Sequence, residues 1–311
     1  MKSDIFKYYI FAVLSMLFWG LTFVWSKIAL GYYEPITIIF IRLVISSAIL
    51  ALTVKLWGKQ QKIDRADHKW FLMLALAQPF FYFLGENYGL KYVSSTVSSV
   101  IIATIPLFSP FAAFMFTREK TGIFSWLGIV VSFAGILVMI LNPDLSLNAA
   151  PKGIAFLFLA VFSAVIYSAF VKKLTGKYNA LTIIARQNLL GALYFLPLFL
   201  FFDFESFILV KPTQSLVLAI LQLAVFGSCL AYIFFIMAVA KLGMVKANIF
   251  TNLIPVFTAV FSYFVLSEVF NIQKISGIIL VVMGIVVSQS REISQLITKD
   301  RVRLKTQKPQ L

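Results

Sequence analysis

Residues 105–119 read IPLFSPFAAFMFTRE, and residues 254–268 read IPVFTAVFSYFVLSE. Pro106 and Pro255 stand 149 residues apart, and so do Glu119 and Glu268. The match continues beyond the glutamates, where Gly128 falls over Gly277 and Gly135 over Gly284. Further upstream, PITIIFIRL at 35–43 meets ALTIIARQN at 180–188, an offset of 145. The chain is therefore written twice, and the fold follows from what the two copies are made of.

They are made of apolar residues. The 311-residue chain is 61% hydrophobic and 13% charged, with a mean hydropathy of +0.94. A water-soluble domain cannot hide that much apolar surface, so the chain reads as an integral membrane protein. Ten apolar runs, near 7–28, 35–54, 70–90, 93–116, 122–141, 153–171, 181–202, 214–239, 244–267 and 272–290, are each long enough to cross ~30 Å of hydrocarbon as a helix. The alternating pattern of a β-barrel is absent. Bulky Phe18-Trp19 and the lack of a small-residue cleavage site make the first run a retained helix rather than a signal peptide.

Ten runs in two copies give five helices per copy. Five is odd, so the second copy enters the membrane from the opposite side and is inverted. The expectation is an all-α integral membrane fold with ten transmembrane helices: one five-helix repeat at 7–141, another at 153–290, and a basic tail at 291–311. Charge supports it. With both termini cytoplasmic, twenty Lys and Arg lie on the cytoplasmic side and five on the other, a strong positive-inside bias. The expected location is the inner (plasma) membrane, crossed many times. In that setting the net charge of +15 reads as loop asymmetry plus a tail lying near anionic membrane lipids, not as a nucleic-acid surface. The single cysteine, Cys229, allows no intrachain disulfide.

Inverted halves suit alternating access around a site near the midplane. The motifs WG at Trp19-Gly20, GLKYVSSTVSSVI followed by Pro and Glu from Gly89, its copy AVAKLGMVKANIF from Ala238, and the paired glycines resemble the EamA-type branch of the drug/metabolite transporter superfamily over roughly residues 7–290. That resemblance implies a secondary transporter, most often an exporter of amino acids, metabolites or drugs, with some sugar-related carriers among relatives. A channel or a lipid-handling membrane protein is the alternative from another class.

Polar side chains inside spans mark the candidate site, because hydrocarbon penalises them unless they are partnered or face water. Asn248, Thr251, Asn252 and Pro255 share one face of the ninth helix, and Ser99 lies among the serines that precede Pro106 in the fourth. Both prolines are candidate kinks. These polar stripes fit either a cavity lining or hydrogen-bonded helix contacts. Trp19 and Tyr167 fit as aromatic walls, with Gln78, Tyr82 and Tyr232 in the same class. Arg42 and Arg186 lie inside opposite membrane halves; Arg42 could reach Glu86 or Glu268, and Arg186 could reach Glu119. These pairs read as gates, as carboxylate anchors or as static pairs. Glu86 is the acid placed to carry a coupling proton. The Gly128/Gly135 and Gly277/Gly284 pairs read as close helix packing. His68, the only histidine, lacks neighbours for a metal site, and no catalytic, metal-binding or cofactor-binding motif is present, so the expectation is a small-molecule carrier without cofactors rather than an enzyme.

Overall fold

The computed structural model describes residues 2–57, 61–108, 123–141, 149–242, 247 and 250–288. The basic tail, Glu119 and Asn248 lie outside the described residues. Among those described, the chain forms ten helices. They are α1 (Lys2–Ala29), α2 (Pro35–Trp57), α3 (68–92), α4 (Ser95–Phe108), α5 (Ile123–Ile140), α6 (Pro151–Leu174), α7 (Ala180–Leu209), α8 (Gln214–Leu242), α9 (Phe250–Leu266) and α10 (Ile272–Ser288). Five of them are each long and apolar enough to cross a membrane, and four more are shorter apolar helices. Large apolar side chains such as Phe201, Leu209, Phe264 and Ile272 stand exposed on the outside, as a multi-pass membrane protein requires.

The helices pair in a pattern that exchange of the halves preserves. α5 packs on α10, α2 on α7 and α4 on α9, each a helix against its own counterpart. α1 packs on α8 and α6 on α3, and these two pairings interchange. The glycine pairs lie in the α5–α10 seam, where a Cβ on Gly135 would meet Gly277 O at 2.8 Å and one on Gly284 would meet Gly128 O at 2.6 Å. Small residues let two backbones approach this closely.

Each half breaks one of its helices just ahead of a proline. α4 is interrupted by a turn at Ala103-Thr104, just before Pro106. α9 begins as a 3-10 turn, Phe250–Leu253, and becomes α-helical with Pro255 in its first turn. Both interruptions sit where the missing proline N–H disturbs the ladder least, directly ahead of the ring. α3 is broken by a wide turn at Leu76–Phe81, in which Gln78 is extended (φ −149°, ψ 121°) and the Gln78–Pro79 peptide is cis. Pro79 fits there because α7 offers Gly191, whose Cβ would lie 2.2 Å from Pro79 Cγ.

The end of the bundle that carries residues 30–34 is called upper, and the end that carries 61–67 lower. At the lower end Asp67 Oδ2 accepts from Lys177 Nζ and Tyr178 Oη, both at 2.8 Å. Thr182 Oγ1 accepts from Gln61 N at 3.0 Å. Asp67 is nearly buried, and the hydrogen bonds from Lys177 and Tyr178 hold its carboxyl below the usual aspartate range. A carboxyl depressed by folding adds stability above its ordinary pKa and loses it as the pH falls through the native value. Asp67→Asn should therefore lower the thermal midpoint in detergent at pH 7, and the wild-type advantage should begin to shrink on acidification below the ordinary value of 3.8 and be gone only below the lower native value. A gap that persists undiminished at pH 3 would refute this account.

Candidate functional site

Between the halves lies a cavity of about 80 Å³ that the breaks in α3, α4 and α9 border. Its wall includes Trp19, Thr22 and Phe23 from α1, Arg42 from α2, and Gln78, Tyr82, Phe83 and Glu86 from α3. Ala164, Tyr167 and Ser168 come from α6, and Tyr232 and Phe235 from α8. Ile102 and Ile105 flank the break in α4, while Thr251 and Ile254 flank the one in α9. Helix breaks of both halves thus border one space, alongside regular stretches of α1, α2, α6 and α8.

Its polar groups are few, and two pairs of them, Tyr82 with Glu86 and Gln78 with Tyr232, hydrogen-bond to each other. Arg42 is 1% exposed; its Nε donates to Ser228 Oγ at 3.0 Å, and its guanidinium carbon lies 4.2 Å from the centre of the Phe83 ring. The Nη1 nitrogen of the same group has no hydrogen-bond partner. Glu86 is among the charges facing it, and Glu86 Oε1 accepts from Tyr82 Oη at 3.0 Å. Gln78 Nε2 donates to Tyr232 Oη. Trp19 meets Tyr232 edge-on, with ring centres 5.1 Å apart, and lies 5.0 Å from Phe235. Tyr167 Oη donates to Gln187 Oε1 at 3.0 Å.

Of the residues chosen from sequence, Trp19, Arg42, Gln78, Tyr82, Glu86, Tyr167, Tyr232 and Thr251 all line this space. Ser99 does not: its hydroxyl turns back to Thr96 O of its own helix at 2.8 Å. Asn252 is outside the lining too, with a buried Oδ1 that lacks a partner. Arg186 points elsewhere, into lower-end clefts with Gln61, Lys62 and His68 on one side and Lys55 on another. Glu268 does not serve Arg42. Its Oε1 caps the start of α4 by accepting from Ser95 N at 2.8 Å.

Sequence reading missed Gln187 and Asn188. The 145-residue offset that aligns Thr37 with Thr182 places Gln187, not Arg186, opposite Arg42. Gln187 is 1% exposed and holds Tyr167 in place. Asn188 Nδ2 donates to Ser46 Oγ at 3.0 Å and to the Ser228 carbonyl at 2.9 Å, so it braces the backbone of the residue whose hydroxyl Arg42 uses. The two halves are thus matched in backbone and unmatched in charge, and among the described residues the cavity keeps a single arginine.

The EamA-like transporter family model matches this chain twice, at residues 6–141 and 151–289. The chain belongs to the EamA-like transporter family. Among relatives, an uncharacterized transporter of Archaeoglobus fulgidus is 29% identical over 279 residues, covering 90% of this chain and 97% of that protein. A second from the same organism is 24% identical over 290 residues, covering 92% and 98%. The uncharacterized transporter YetK of Bacillus subtilis is 29% identical over 204 residues, covering 65% and 62%. A solved crystal structure superposes with a TM-score of 0.64 at 17% identity, covering 91% of this chain and 96% of that one, and so shares the fold. Among the described residues of this EamA-like protein, no three His, Cys, Asp or Glu side chains group closely enough to hold a metal ion.

Proposed function

We propose that the protein is a secondary transporter working by alternating access, and that it exports a small amphipathic metabolite such as an amino acid. The observation that carries this reading is the cavity between the halves, walled by Trp19, Tyr167 and Phe235 and supplied with the polar groups of Arg42, Glu86, Tyr82 and Gln78. A largely apolar wall with a few convergent polar groups is what a small-molecule site requires. Family membership supports transport, and the matched helix pairings support two halves that exchange roles. Both termini are proposed to be cytoplasmic, which makes the lower end the cytoplasmic one. Where a proton takes part in the cycle, Glu86 is the proposed carrier, since it is the acid in the cavity wall.

Purified protein in liposomes should show saturable uptake of amino acids that is accelerated by unlabelled substrate inside, as a carrier requires. Flux that rises linearly with concentration and ignores internal substrate would mean a channel. Imposing a pH gradient on the same vesicles tests the proton: a dependence present in wild type should be lost in Glu86→Gln, and a dependence that survives that change would move the proton elsewhere.

A further inference from the structure

Among the described residues, Arg42 is the one charged donor in the cavity wall, and it is only partly used. A guanidinium presents five N–H donors and no acceptor, in a planar fork that matches a carboxylate. Here Nε is held by Ser228, Phe83 lies against the flat face, and Gly227 opposite Nη2 has no side chain. A Cβ on Gly227 would lie 3.2 Å from Nη2, so that backbone makes room for the group. Asn188 fixes the Ser228 segment through the carbonyl of the same residue. The guanidinium is therefore held still while Nη1 goes without a partner. Among the described residues, no carboxylate lies within ion-pair distance of Arg42: Glu86 faces it but gives Oε1 to Tyr82. A buried polar donor without a partner is costly, and in a binding cavity a ligand supplies the partner.

We infer that Arg42 anchors the carboxylate of the transported molecule, whose apolar part lies against Trp19, Tyr167 and Phe235. This inference rests on the transport reading for the word "transported", and on the cavity alone for the binding. Charge balance then sorts the ligands. Without ligand, Arg42 and Glu86 offset one another in a space that excludes most water, and a bound carboxylate adds one negative charge. A zwitterion brings its own ammonium to offset that charge beside Glu86. An acid that lacks an amine needs a proton on Glu86, taken up from water as the acid enters. The groups facing Glu86 are Arg42 from α2, Tyr82 from its own helix and Tyr232 from α8, with Tyr167 of α6 beyond Tyr232. Among the described residues, those of α1, α4 and α9 in the cavity wall add no ionisable side chain.

The test uses the purified full chain in detergent and reads ligand-induced shifts of its thermal midpoint over a concentration series. The probes are 3-phenylpropanoate, its amide, 2-phenylethylamine and phenylalanine, together with the same four end groups on a branched alkyl chain. Both acids and zwitterions should bind on the order of tenfold to a hundredfold more tightly than the amide and the amine of the same skeleton, the range for a charge-assisted hydrogen bond. Arg42→Gln should erase that preference, and Arg42→Lys should keep part of it. The amine-less acid should bind more tightly as the pH falls from 8 to 6, and phenylalanine should not. Amides that bind as well as acids, an absence of binding by every carboxylate, or an acid preference retained in Arg42→Gln would each overturn the inference. If Arg42→Gln does not fold, the wild-type comparison of acid, amide and amine decides alone. Acid-selective binding without flux in vesicles would leave the anchor standing and sink the transport reading. Flux without acid selectivity would do the reverse.

Discussion

Gly277→Val should unfold the purified protein at a clearly lower temperature than wild type, while Gly176→Ala should leave the midpoint almost unchanged. A Cβ at Gly277 would sit 2.1 Å from Met139 Cγ and 2.8 Å from Gly135 O; at Gly176 its nearest neighbour is Lys173 O at 3.6 Å, an ordinary contact. Met139 could swing aside, but the carbonyl of Gly135 belongs to the α5 backbone and cannot. The valine would therefore push α5 and α10 apart along the whole seam. It would take with it the approach of Gly284 to Gly128 and the 3.1 Å hydrogen bond from Ser132 Oγ to Val281 O. Between helices in lipid, close packing and such hydrogen bonds supply the attraction, because apolar burial against lipid tails gains little. Overpacking of this kind costs on the order of 3 kcal/mol. In a protein of this size that is a fall of roughly 5–10 °C in the midpoint. Equal midpoints for the two variants would mean that the seam is loose enough to absorb a side chain.

The same seam shows what the sequence could and could not say. Spacing alone places Gly128, Gly135, Gly277 and Gly284 on helix faces, and the offset of 149 says that they correspond. Correspondence between copies is legible because duplication preserves order. That the corresponding faces touch each other is a property of the two-fold arrangement, which one copy cannot reveal. The cavity was legible for a related reason: polar groups in apolar runs are expensive, so Arg42, Glu86, Gln78 and Tyr82 announce themselves. Ser99 fails the same test because a serine can satisfy itself on its own helix, as its bond to Thr96 O does. Arg186 fails because a long side chain near a helix start can reach the surface, where it borders open clefts. Gln187 was hidden by its neutrality, although the register already placed it opposite Arg42. Glu268 shares the upper side with Arg42 but is turned away from it by the backbone at the end of α9. The chain leaves α9 through Ser267 in the left-handed conformation, φ 53°, and the N–H of Glu268 returns to Ser262 O at 3.2 Å. That closure turns Glu268 out of the helix and across to α4.

Glu268 is then a place where helices are tied together at the upper end of the bundle. Its Oε1 accepts the Ser95 N–H at the first turn of α4, where the free amides and the helix dipole favour a negative charge. On the other side of the same junction, Ser95 Oγ donates to Phe23 O of α1. Lys27 of α1 donates to Leu90 O and Val93 O, at the end of α3, and its charge faces Glu268. One acid and one lysine thus tie α1, α3, α4 and α9 together above the cavity. The proposed alternating-access cycle would break these bonds each time the upper end opened. Losing a helix cap costs about 1 kcal/mol, and one or two kcal/mol changes a two-state population roughly 5–30-fold. Glu268→Ala should therefore shift the protein toward upper-open forms by about tenfold. The chain lends itself to measuring this, because Cys229 is the only cysteine and is buried. In a Cys229→Ser background, Ser168→Cys places a thiol in the cavity wall, and a membrane-impermeant maleimide can be applied to vesicles of either orientation. Glu268→Ala should speed labelling from the upper side by about tenfold and slow it, or leave it unchanged, from the lower side. Faster labelling from both sides would mean that the glutamate merely stabilises the fold, and unchanged labelling from above would mean that the upper end is closed by something else.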